Sequence, residues 1–137
     1  MSVNSRAFAA DLAKFEEYAI KRCDAVLRES IIGLTQSVVE LTPFITGRAR
    51  SNYFWSNDSG NTETSTDADK TGAPSLSRAV SFGNSVKAGG TVQLTTALSY
   101  IGDLEYGKSD RAPHAMMRTT AARWKQIGHD AEMRATQ

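Results

Sequence analysis

Cysteine, histidine and proline are scarce: one, two and three among 137 residues. A lone Cys23 excludes an intrachain disulfide and any cluster of thiolate metal ligands, and points to folding in a reducing compartment. His114 and His129 are the only near-neutral bases, and neither has a second His or Cys at metal-ligand spacing. No apolar run reaches signal-peptide or bilayer-spanning length, so neither a secretory leader nor a membrane helix is expected. A dominant charge is lacking too. Sixteen Lys and Arg face fifteen Asp and Glu, far from the balance of a surface that grips nucleic acid everywhere. What remains is 40% hydrophobic and 23% charged, the composition of one globular domain spanning residues 1–137.

Charge is unevenly spread. Residues 56–72 carry one basic and four acidic side chains, a net −3, whereas residues 108–137 carry six basic and three acidic, a net +3. The acidic stretch holds no large apolar side chain. It cannot bury enough surface to offset its ordering entropy, so the reading is a mobile polar loop at 56–72.

Periodicity identifies the main element. Phe8, Leu12, Phe15, Ala19, Cys23, Val26, Leu34, Val38 and Leu41 recur every three or four residues, with one skipped turn. That spacing predicts a helix over about 5–41, capped by Asn4 or Ser5 and stopped by Pro43. Phe15 and Cys23 fall on its apolar stripe and are expected in the core, so that Phe15→Ala would cost about 3–5 kcal/mol. Near its end Ile31, Ile32, Val38 and Val39 cover most of the circumference, as in a helix buried on several sides. Gly33 marks a bend or a close contact. So long a helix outgrows what a small domain covers: either it is simply the main core element, or one side packs the chain's own sheet while another meets a neighbouring subunit.

Thr46-Gly47 reads as a turn and Arg48 to Trp55 as a strand, which would project Arg48 and Arg50 from one side as anion ligands or exposed edge charges. Pro74 and Ser75 open a second helix reaching about Val86. Thr91 to Ala97 alternates as a half-buried strand. Residues 99–107 hold at most one helical turn. Pro113 starts a C-terminal helix with Met117, Ala121, Trp124, Ile127 or Gly128, and Ala131 on its apolar side. The fold class is α+β, a long N-terminal helix and a C-terminal helix packed on a small antiparallel sheet.

Catalytic signatures are missing. There is no G-x-S-x-G elbow and no glycine-rich phosphate cradle. Asp103 and Glu105, two apart, would point to opposite sides of a strand. No enzymatic activity, metal or cofactor is expected.

Two stretches carry a resemblance. Residues 41–53, LTPFITGRARSNY, place T-P-x-x-T-G-R-x-R after a helix end, and residues 100–120, YIGDLEYGKSDRAPHAMMRTT, give Tyr, Leu-Glu-x-Gly, a polar loop and Ala-Pro. In this order and at this chain length they resemble the tail-completion or neck proteins of long-tailed bacteriophages. The chain differs at Phe44-Ile45, where members commonly carry a small apolar residue and Asp, and in its very polar 56–72 loop. The resemblance implies a structural virion protein, assembled in the host cytoplasm, that joins tail to head as a homo-oligomeric ring, commonly six-fold. Genome DNA would pass through the lumen without sequence-specific binding. Neighbouring neck, connector and tail-tube proteins would be its partners, and no membrane would be involved. Pro43, Thr46, Gly47, Arg48, Arg50, Tyr100, Glu105, Gly107 and Pro113 would then lie at subunit or partner interfaces, with an Arg48 or Arg50 contact to Glu105 either within a subunit or between subunits. A different reading of the residues is a small nucleic-acid-binding module, using the basic C-terminal helix with Trp124 as a stacking group. A small hydrolase or nuclease ranks last for want of a site.

Overall fold

The 4-3 spacing of apolar residues and the absence of proline before Pro43 let one helix, α1, run through Ser5–Leu41. Its 37 residues extend about 55 Å at 1.5 Å per residue. The computed structural model describes residues 5–44, 46–57, 60–106 and 115–136. After α1 come β1 (Phe54–Asn57), α2 (Ala73–Ser85), β2 (Val92–Thr95), α3 (Ile101–Glu105), α4 (Met116–Ala122) and α5 (Trp124–Ala135). β1 and β2 pair antiparallel, with Trp55 opposite Leu94 and Phe54 opposite Thr95. The chain is thus α+β, two long helical regions and a two-stranded antiparallel sheet.

The second half of α1 is the axis of the core. Ile31, Thr35, Ser37, Val38 and Val39 are buried and point around its circumference. α2 lies along one side, where Gly83 admits Arg28: a Cβ there would stand 2.9 Å from the Arg28 Cγ. α4 and α5 lie along another. Ser37 and Thr120 hydroxyls are 2.7 Å apart, and Gly33 is a close contact, its missing Cβ leaving room for Ile127. The sheet joins through Trp55, whose indole N–H donates to Thr35 Oγ1 at 2.7 Å while its ring stacks on Phe82.

Four sequence expectations require correction. The stripe on the first half of α1 is uncovered: Phe8 is 56% exposed, Leu12 52% and Phe15 68%. Phe15→Ala therefore has no core to hollow out in this chain. Cys23 is exposed, not buried. The strand at 48–55 is reduced to Phe54–Asn57, because 48–51 form a turn. The C-terminal helix is broken at Arg123: Ala131 is buried as expected, but in α4 the buried face falls on Met116 and Thr120, and Trp124 is 61% exposed.

Candidate functional site

The T-P-x-x-T-G-R-x-R stretch is spent on holding its own loop. Thr42 donates its hydroxyl to the Val38 carbonyl at 2.5 Å, and its oxygen lies 2.7 Å from the Tyr53 hydroxyl. Both side chains are fully buried. Pro43 is buried beside them and Thr46 is exposed. Gly47 takes a φ of 89°, turning the chain so tightly that a Cβ would sit 2.2 Å from the Asp69 carbonyl carbon. Arg50 then becomes a clamp. Its guanidinium donates to the carbonyls of Thr42 (2.7 Å), Lys70 (2.8 Å) and Glu40 (3.2 Å) and covers the Phe44 ring at 4.1 Å. Burial lowers its pKa, partly opposed by Glu40, yet five fixed donors remain suited to holding several carbonyls at once.

These bonds revise the reading of residues 56–72 as a free loop. Asn52 grips Ser65 on both backbone groups, at 2.7 and 3.1 Å. Ser51 Oγ does the same with Asp69, accepting from its N–H at 3.0 Å and donating to its carbonyl at 3.2 Å. Arg48 donates to the Ser65 carbonyl at 3.2 Å. Arg78, stacked over Phe54 at 4.0 Å, donates to the Ser51 and Tyr53 carbonyls and faces Asp67 at 3.9 Å. Residues 60–72 are therefore fastened by polar side chains instead of apolar ones. Residues 58 and 59 lie outside the described residues.

Within the chain, Glu105 meets neither Arg48 nor Arg50. It ends α3 and reaches across to the first turn of α4, accepting from the Met117 N–H at 2.7 Å, the Arg118 N–H at 3.2 Å and the Arg118 guanidinium at 2.9 Å. Its carbonyl accepts from the Ala115 N–H at 2.9 Å and from Arg118 Nη2 at 2.7 Å. Arg118 in turn lies 4.4 Å above the Tyr106 ring. Residues 105 and 115–118 are thereby pinned together. Gly107, Pro113 and His114 lie between them, outside the described residues. Tyr100 is partly exposed just before α3. Asp103 sits on that short helix, not on a strand.

The two stretches that carry the resemblance nevertheless meet. Ala49 from the turn packs with Leu98, Leu104 of α3 and Met116 of α4 in one apolar cluster, flanked by Leu41 and Ile101. Tyr53 is buried on the turn side of this contact. Burial pushes its hydroxyl up to about 12, the Thr42 bond opposes this, and the negative Glu105 adds to it. Within the chain, and among the described residues, contact between the stretches is apolar packing and not an Arg–Glu pair. Arg78 and Arg118, the two arginines that complete these networks, had no sequence signal beyond their charge.

Burial raises the Glu105 pKa, but the Arg118 hydrogen bond, the two amide donors and the Arg118 charge outweigh it and hold the carboxyl below its ordinary 4.5. A folded-state pKa below the unfolded one stabilises the fold above the unfolded value and loses that contribution as pH falls through the folded one. The thermal midpoint of the wild-type chain is expected to drop more steeply below pH 4.5 than that of Glu105→Gln. Parallel curves for the two chains would show that Glu105 is not ionised against α4.

Among the described residues no group of three His, Cys, Asp or Glu side chains is placed to hold a metal ion, and no helix is long and apolar enough to cross a membrane. His129 is exposed on α5. Compared with known proteins, the chain matches no family model, no curated protein and no solved structure.

Proposed function

We propose that this chain is a structural protein of a phage neck, joining tail to head as part of a ring around the DNA channel, without catalysis. The observation that carries the reading is the convergence of its two resembling stretches, residues 41–53 and 100–120, on the shared cluster of Ala49, Leu104 and Met116. Their polar side chains serve to brace turns: Arg50 and Glu105 satisfy backbone groups, and such rigid turns suit repeated contacts in an assembly. Near-neutral net charge limits repulsion between copies. The test is genetic and biochemical. Loss of this chain should leave filled heads and finished tails unjoined, and the purified chain should restore joining when added to them. Infectious particles made without it, or arrest at another stage, would overturn the reading.

One observation favours a second reading, nucleic-acid binding. Trp124 is 61% exposed with Lys125 beside its ring, a stacking face on the basic end of the chain. Against it, Arg118 and Arg134 of the same segment are already bonded to Glu105 and Glu29. Duplex affinity that falls steeply with salt would support this second reading.

A further inference from the structure

We propose that the first half of α1 pairs with the same segment of a second copy, antiparallel over residues 5–22, so that the free protein is a two-fold dimer. This does not rest on the neck assignment. An isologous contact closes on two copies, whereas a ring needs a different, head-to-tail surface.

The seam is visible in the spacing. Phe8, Leu12, Phe15 and Ala19 follow 4-3-4 steps, the a and d positions of a coiled coil. The same steps continue to Arg22, Val26, Glu29 and Gly33. Over that continuation α5 lies on the seam, running antiparallel to α1: Glu132 faces Arg22 at 3.6 Å, Arg134 bonds Glu29 at 3.1 Å, and Ile127 packs at Gly33. α5 ends at Ala135, and there the seam becomes uncovered. Among the described residues, one helix surface thus has a helical partner over half its length and none over the rest.

The sequence of the uncovered half complements itself in one direction. With Leu12 opposite the second copy's Phe15, Phe8 falls opposite its Ala19, so no ring faces another ring and every layer pairs an a with a d position. The flanking positions then place Asp11 against Tyr18, a hydroxyl that can donate to the carboxylate, and Ala9 against Glu16. In the parallel arrangement Phe8 and Phe15 would each face their own copies, and Asp11 would face Glu16, two carboxylates in apposition on both sides. Charge and size both select the antiparallel pair.

Length fits too. In this register Ser5 of the second copy lies opposite Arg22, where α5 terminates. The incoming helix runs in the direction of α5 and continues its line. Its N-terminal end, with positive partial charge, meets the C-terminal end of α5, with negative partial charge. Because the second half of α1 is packed in the folded body, the first half extends a helix that is already nucleated, which lowers the ordering cost of the pair.

Sedimentation of the full chain tests the state, and paired cysteines test the direction. The expected species is a concentration-dependent dimer of the 14.9 kDa chain. Phe15→Glu, at a position 68% exposed, should sediment as a monomer with unchanged circular dichroism. In a Cys23→Ser background, oxidising a mixture of the Ala9→Cys and Glu16→Cys chains should give the mixed disulfide dimer. Monomer at every attainable concentration, a dimer that survives Phe15→Glu, or cross-linking of Asp11→Cys with Glu16→Cys in place of the 9–16 pair would each overturn the proposal.

Discussion

Gly47→Ala is expected to destabilise the chain by about 2–4 kcal/mol and to release the segment that the turn holds. Two costs combine. A φ of 89° is strained for any side-chain-bearing residue, and the new methyl would stand 2.2 Å from the Asp69 carbonyl carbon and 2.3 Å from the Lys70 nitrogen. Both neighbours are backbone, so no side chain can swing aside. Relief requires residues 69–70 to back away, and the Ser51–Asp69 and Arg50–Lys70 bonds lengthen with them. For a domain of this size the thermal midpoint should fall by roughly 10 °C. The local signature is more specific: limited proteolysis should cut the variant between residues 60 and 72 at conditions where the wild type resists. A variant as stable and as protease-resistant as wild type would mean that the turn does not seat this segment.

That segment also shows where reading by residue type runs out. Hydropathy judges a stretch by what apolar surface it can bury, and residues 60–72 have almost none. Their ordering comes from Ser51, Asn52, Arg48 and Arg50, which lend side-chain donors and acceptors to the loop's backbone, and from Arg78, which faces the Asp67 carboxylate; such bonds leave no periodic trace. The same arginines explain the missing strand. RARSNYFW has the composition of an edge strand, but Gly47 reverses the chain just before it, and Arg50 stays in the turn to reach the Thr42 and Glu40 carbonyls. By contrast, α1 was legible through to its C-terminal end, since 4-3 spacing and Pro43 act locally, while the cap expected at Asn4 lies outside the described residues. Which of its faces is covered was not legible. Phe15 and Val38 repeat with the same period, and only the packing of the rest of the chain around the second half of α1 decides that one is open and the other buried. The charged partner of Glu105 was equally ambiguous among several arginines, and the packing of α3 against α4 gives it Arg118.

Met116→Ala should cost about 2–5 kcal/mol, and Met117→Ala clearly less. Sequence periodicity alone puts Met117 on the buried side of one continuous C-terminal helix. The break at Arg123 removes that continuity, and α4 takes its phase from Glu105, which receives the Met117 and Arg118 amides and thereby aligns the first turn. Met116 then points inward with no exposed surface, against Ala49, Leu98 and Leu104, while Met117 is half-buried beside the Val38, Val39 and Tyr53 cluster. Removing the Met116 side chain empties the point where the 42–53 turn, α3 and α4 meet. Refilling is limited, because Ala49 is small and Leu104 is held within a one-turn helix. The effect should be cooperative, with global and loop probes melting together, since the cluster belongs to both resembling stretches. Denaturant unfolding of the two variants decides the phase of α4. A larger loss for Met117→Ala would place Met117 at the centre and rotate the helix, and with it the pairing of Glu105 to Arg118.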